Sequence, residues 1–82
     1  MKLDKNFLEK VKSPIYQVWD QIGHDIVELG DVDNEECVET VIDASRLDTF
    51  GHKEAQEFVS EAVKEHGYSK VLKFLCKNIK LY

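Results

Sequence analysis

Apolar residues recur at steps of three and four in successive stretches of this chain, and turn-forming residues stand where the stretches end. That spacing matches the 3.6-residue turn of a helix and not the two-residue alternation of a strand, so it confines the chain to an all-α fold. The clearest stretch follows Ser13-Pro14, an N-cap residue and a proline at the first helical position, where the missing N–H costs nothing. Ile15, Val18, Trp19, Ile22, Ile26 and Leu29 then fall within about 100° of arc. Gly30 stands where a left-handed residue ends a helix. The spacing predicts a helix over 14–29.

Upstream, Asp4 is placed to cap a short helix with Phe7, Leu8 and Val11 turned inward, ended by the restriction that Pro14 puts on Ser13. Downstream, Asp33 with Glu36 three residues on resembles a capping box. It opens a predicted helix near 34–46 with Cys37, Val38, Val41, Ile42 and Ser45 on one side. Leu47 to Gly51 reads as a loop whose Leu47 and Phe50 plug the core. A helix over 52–66 turns Ala55, Phe58, Val59, Ala62 and Val63 inward and stops at Gly67. Ser69 caps a last helix over 70–81 with Val71, Leu72, Leu75 and Ile79 inward. The expected architecture is a compact bundle of four main helices plus a short N-terminal one, in a single domain over residues 1–82.

Charge is divided along the chain as sharply as hydropathy. Between Ser13 and Ser45 there are nine carboxylates and no Lys or Arg; from His66 to Tyr82 there are four lysines and no carboxylate. The net charge is −5. A split of this kind predicts an acidic surface and a basic one, and it limits what can approach each. The longest apolar run is Phe74-Leu75-Cys76, too short for a membrane span. The opening residues lack the apolar core of a secretory signal, and the two cysteines, Cys37 and Cys76, read as reduced core-side thiols without CxxC spacing. Both features point to a cytoplasmic protein.

The residues that could carry chemistry each have a plainer role. Asp31-Val32-Asp33-Asn34-Glu35 opens like a calcium loop, but the positions that need Gly and a bidentate Glu hold Glu36 and Ile42. His24 and Glu28 stand one turn apart and could hold a surface metal, although two ligands make a weak site. His52 and His66 fall at helix ends. A Cys76 nucleophile would need His66 brought beside it. No catalytic residue, metal site or cofactor is expected.

Two charged faces remain. Glu36, Glu39 and Asp43 line one helix, and Glu54, Glu57, Glu61 and Glu65 line the next long one. The reading is a non-enzymatic protein-interaction module, an adaptor or inhibitor, that docks these acidic faces on a basic partner surface. Tyr16, Val27 or Phe74, which lie off the core stripes, would serve as the buried anchor. The alternative is a helix-turn-helix-like nucleic-acid binder. It rests on the helix–Gly–apolar–Ser run at 62–69 and on the stripe Lys70, Lys73, Lys77 and Lys80, although only Asn78 there could read a base edge. Homodimerisation by acidic-to-basic pairing is a third reading.

Overall fold

The computed structural model describes residues 2–27 and 33–81, without the side chains of residues 24–27. Every regular element among the described residues is helical: α1 (Lys5–Val27), α2 (Asn34–Ile42), a 3₁₀-type turn (Asp43–Ser45), the one-turn α3 (Arg46–Thr49), α4 (Lys53–His66) and α5 (Tyr68–Asn78). The chain is an all-α compact bundle. Its radius of gyration, 11.8 Å, is what a close-packed chain of this length should have.

Asp4 and Asp33 cap as expected. Asp4 Oδ1 accepts from the Phe7 amide at 3.2 Å, and Asp33 Oδ1 accepts from the Glu36 amide at 2.9 Å. The expected boundary at Ser13-Pro14 does not exist, because α1 runs straight through Pro14. Phe7, Val11, Ile15 and Val18 are all buried, and their steps of four, four and three continue unbroken across the proline. Each is worth about 1.5–3 kcal/mol when fully buried. A break would turn Phe7 and Val11 out of that line, and together they outweigh the roughly 3 kcal/mol of an internal proline. Ser13 is therefore helical rather than a cap, and its Oγ accepts from Gln17 Nε2 at 3.1 Å. The end expected at Leu29–Gly30 lies outside the described residues, as do the side chain of Ile26 and all of Asp31 and Val32.

Four boundaries or side-chain placements differ from the sequence reading. α2 ends at Ile42, not near residue 46, because Ala44 and Ser45 take left-handed conformations (φ 53° and 54°), and Ser45 is exposed. Two such residues cost roughly 1–2 kcal/mol each. The reversal they make drives Leu47 fully into the core, and Arg46 Nη1 donates back to the Thr40 carbonyl. The segment read as a loop thus contains α3, with Leu47 as the plug and Phe50 half-buried against the core. Ser69 does not cap α5, since Gly67 alone (φ 89°, ψ 148°) joins α4 to Tyr68. Only glycine adopts that conformation freely. Finally, α5 ends at Asn78 rather than 81; Ile79 is extended yet completely buried.

One core cluster joins all five helices. α1 packs against α2 and α4, and α5 packs against the same two, while α3 closes one end on α1, α2 and α4. α2 and α4 are not a packed pair and so occupy opposite corners. This order of neighbours decides where the charged faces go.

Candidate interaction surfaces

The acidic residues do not merge into one region. Glu36 is exposed and Glu39 half-buried on α2, with Asp43 exposed just past its end; Glu54, Glu57 and Glu61 are exposed on α4. Since α2 and α4 stand at opposite corners, the molecule carries two acidic ridges. The expectation of a single acidic surface is corrected by helix order, which sequence spacing does not specify. Lys70, Lys73, Lys77 and Lys80 are exposed on and just beyond α5, the helix between the two ridges. On helical geometry their side opposes Val71, Leu72 and Leu75, which are buried. Among the described residues none of these ten charged side chains forms an ion pair.

The two ridges differ in what holds them. Tyr68, the first residue of α5, donates its hydroxyl to Asp43 Oδ1 at 2.7 Å. Burial pushes the Tyr68 phenol above its usual range, and the hydrogen bond and charge of Asp43, with Glu39 beside it, push it the same way. Tyr68 is also the one large apolar side chain counted as exposed among the described residues, at 36%. The α2 ridge is therefore partly engaged by α5 and edged by an aromatic ring. The α4 ridge has no such partner among the described residues: Glu54, Glu57 and Glu61 are bound by no hydrogen bond or ion pair.

Two of the proposed anchors, Phe74 and Tyr16, prove to be half-buried. Phe74 packs against Phe7, with ring centroids 5.9 Å apart and planes at 46°. Tyr16 Oη accepts from the Lys80 amide at 3.3 Å. The side chain of Val27 lies outside the described residues. Gly23 is buried beneath the indole of Trp19, and a Cβ there would sit 2.9 Å from Trp19 Cε2.

Sequence reasoning missed Asn34. Its Nδ2 donates to the carbonyls of Cys76 (3.2 Å) and Ile79 (2.8 Å), and its Oδ1 accepts from the Leu81 amide (2.7 Å). One side chain at the start of α2 thus satisfies the frayed carbonyl end of α5 and holds the following segment extended. No local signal marks this role, because its partners are more than forty residues away.

Cys37 and Cys76 are free thiols. Burial and then the carboxylates of Asp33 and Glu36 raise the pKa of Cys37. Burial and then Glu35, Asp33 and Glu39 raise that of Cys76, against a smaller pull from Lys80. Raised values keep a thiol protonated and unreactive. Cys76 lies about 12 Å along α5 from Tyr68, at 1.5 Å per residue, and so away from the end that adjoins His66. His52 occupies the N-cap position of α4 without a side-chain cap bond, and it borders a cleft of about 350 Å³ with Lys10, Pro14, Lys53, Glu54 and Phe58. Lys10 Nζ lies 4.6 Å from the Phe58 ring centroid there. Among the described residues no three His, Cys, Asp or Glu side chains are grouped to hold a metal. The side chain of His24, and all of Glu28, fall outside that description.

Two features bear on nucleic-acid recognition. The α4–α5 junction is one residue long, shorter than the three- to four-residue turn of a helix-turn-helix. Asn78 Nδ2 donates to the Phe74 carbonyl of its own helix at 2.8 Å. No helix among the described residues is long and apolar enough to cross a membrane. Compared with protein-family models, curated proteins and solved structures, the chain matches none.

Proposed function

We propose that this protein is a non-enzymatic interaction module that docks its acidic helical faces onto a basic surface of another protein, as an adaptor or inhibitor does. The observation that carries the reading is the state of the six carboxylates on α2 and α4: outward, and without an ion pair among the described residues. Like charges spaced three and four apart weaken a helix by a few tenths of a kcal/mol per pair. Two such rows on one small domain thus carry a small folding cost that a basic partner would relieve. Their long-range field speeds encounter with that partner, and short-range burial then holds it.

Tyr68 is better placed than Tyr16 or Phe74 to be the buried anchor, because it is exposed at the edge of the α2 ridge and tyrosine is favoured at the centre of interfaces. Its ring beside Asp43 and Glu39 suits an arginine or lysine side chain. With the ridges on opposite corners, one flat partner surface meets one ridge at a time.

The test is charge reversal on each ridge separately, with the on-rate to a captured partner as readout. E36K/E39K or E57K/E61K should slow association about tenfold or more at low salt and much less at high salt. On-rates unchanged in both pairs would remove the proposal.

A further inference from the structure

We propose that the basic surface fitted to the α4 ridge is carried by the protein itself: Lys70, Lys73 and Lys77 of one copy dock on Glu54, Glu57 and Glu61 of another. This names the partner for one ridge and rests on the reading that the ridge docks a basic surface.

Three observations lead here. The first is register. Glu54, Glu57 and Glu61 step by three and then four along α4, and Lys70, Lys73 and Lys77 step by three and then four along α5. Both rows therefore span about 10.5 Å of helix, so three opposite pairs form when the rows are laid side by side. The second is availability. All six side chains are exposed, and none has an ion-pair partner among the described residues. The rows belong to neighbouring helices of one chain, yet they do not meet. At 100° per residue the glutamate row lies towards the α4 flank that carries Phe58, and Phe58 faces Lys10 of α1, not α5.

The third is width. The lysine row is one helix across, and the helices on both sides of it, α2 and α4, carry the acidic ridges. A nucleic-acid duplex is wider than one helix, so much of its phosphate charge would lie beyond the single lysine row. A single helix with a carboxylate row matches that row in width, and α4 of a second copy is such a helix. The α2 ridge has the same spacing, but Tyr68 already engages Asp43. The contact joins two different patches, so in each pair one copy keeps a free glutamate row and the other a free lysine row, and further copies add until the assembly closes into a ring or continues as a filament.

Sedimentation equilibrium of the whole chain at rising concentration tests this. The Debye length falls from about 30 Å at 0.01 M salt to about 3 Å at 1 M. The weight-average mass should therefore rise with concentration in the dilute salt and stay monomeric in the concentrated one. E54K/E57K/E61K (net −5 + 6 = +1) and K70E/K73E/K77E (net −5 − 6 = −11) should each be monomeric alone. The chain carrying all six changes returns to −5 with its rows exchanged, and it should associate again. Circular dichroism of each variant confirms that it is folded. A wild-type chain that stays monomeric near millimolar concentration in 0.01 M salt overturns the proposal. So does association that survives either triple variant, or a monomer that instead retards a nucleic-acid probe through the three lysines. If the chain is monomeric but E57K/E61K still slows a foreign partner, the self-pairing fails and the docking role of the ridge stands.

Discussion

Asn34→Ala should be among the most destabilising single changes to a partly exposed residue of this protein. The side chain makes three hydrogen bonds, at 3.2, 2.8 and 2.7 Å, to the carbonyls of Cys76 and Ile79 and the amide of Leu81. A hydrogen bond of this kind contributes a net 0.5–1.5 kcal/mol or so. Asn34 is half-buried, so water replaces part of what is lost, and the expected cost is about 2–3 kcal/mol. A chain of this length has roughly 4–12 kcal/mol of stability in all. The melting temperature should fall by about 10–20 °C. Urea unfolding followed by circular dichroism measures it, with the denaturant slope unchanged because the surface exposed on unfolding is the same. Asn34→Asp separates donors from acceptor. It keeps an oxygen for the Leu81 amide but turns another towards two carbonyls, near Asp33 and Glu35, and should be less stable than Asn34→Ala. A loss below about 0.5 kcal/mol in the alanine variant, or an aspartate variant as stable as the wild type, would refute the claim that this side chain ties α2 to the end of α5.

Two other changes test local readings. Gly23→Ala would ordinarily gain about 1 kcal/mol in a helix. Here the added methyl meets Trp19 Cε2 at 2.9 Å, so a net loss of about 1–3 kcal/mol is expected, with a shift in the emission of the chain's single tryptophan; a stabilised variant with unchanged emission would contradict it. Tyr68 has a folded-state pKa raised above the ordinary value of 10.0, so its contribution is complete below about pH 10 and is lost as pH rises towards the folded value. A phenolate titration of the three tyrosines should show one late step, which Tyr68→Phe removes along with part of the alkaline loss of stability. Superimposable curves for the two proteins would count against the Tyr68–Asp43 bond.

The features legible in the sequence are those whose cause lies within a turn or two of the residue. Asp4 and Asp33 accept from amides three residues on, Gly67 takes a conformation that other residues avoid, and the 3–4 spacing of Val71, Leu72 and Leu75 marks their buried side. Where local preference and the core disagreed, the core prevailed. Pro14 reads as a helix start, yet the line from Phe7 to Val18 carries the helix through it. Ala44 has the strongest helix preference of any residue type, yet it is left-handed so that Leu47 can be buried. The charged side chains were identifiable as exposed because each lies opposite an apolar stripe, and that is a property of one helix at a time.

The order of residues alone determined an all-α chain with its apolar stripes, its caps and three rows of like charge, because these depend on contacts no farther than i to i+4. Tertiary packing alone decided that α2 and α4 stand at opposite corners, so that the carboxylates form two ridges with the lysine row between them. It also decided that Asn34 and Tyr68 each join α2 to α5. Those outcomes follow from which helices become neighbours when a single core closes, and burial, having no direction of its own, leaves that choice to the shapes of all the stripes together.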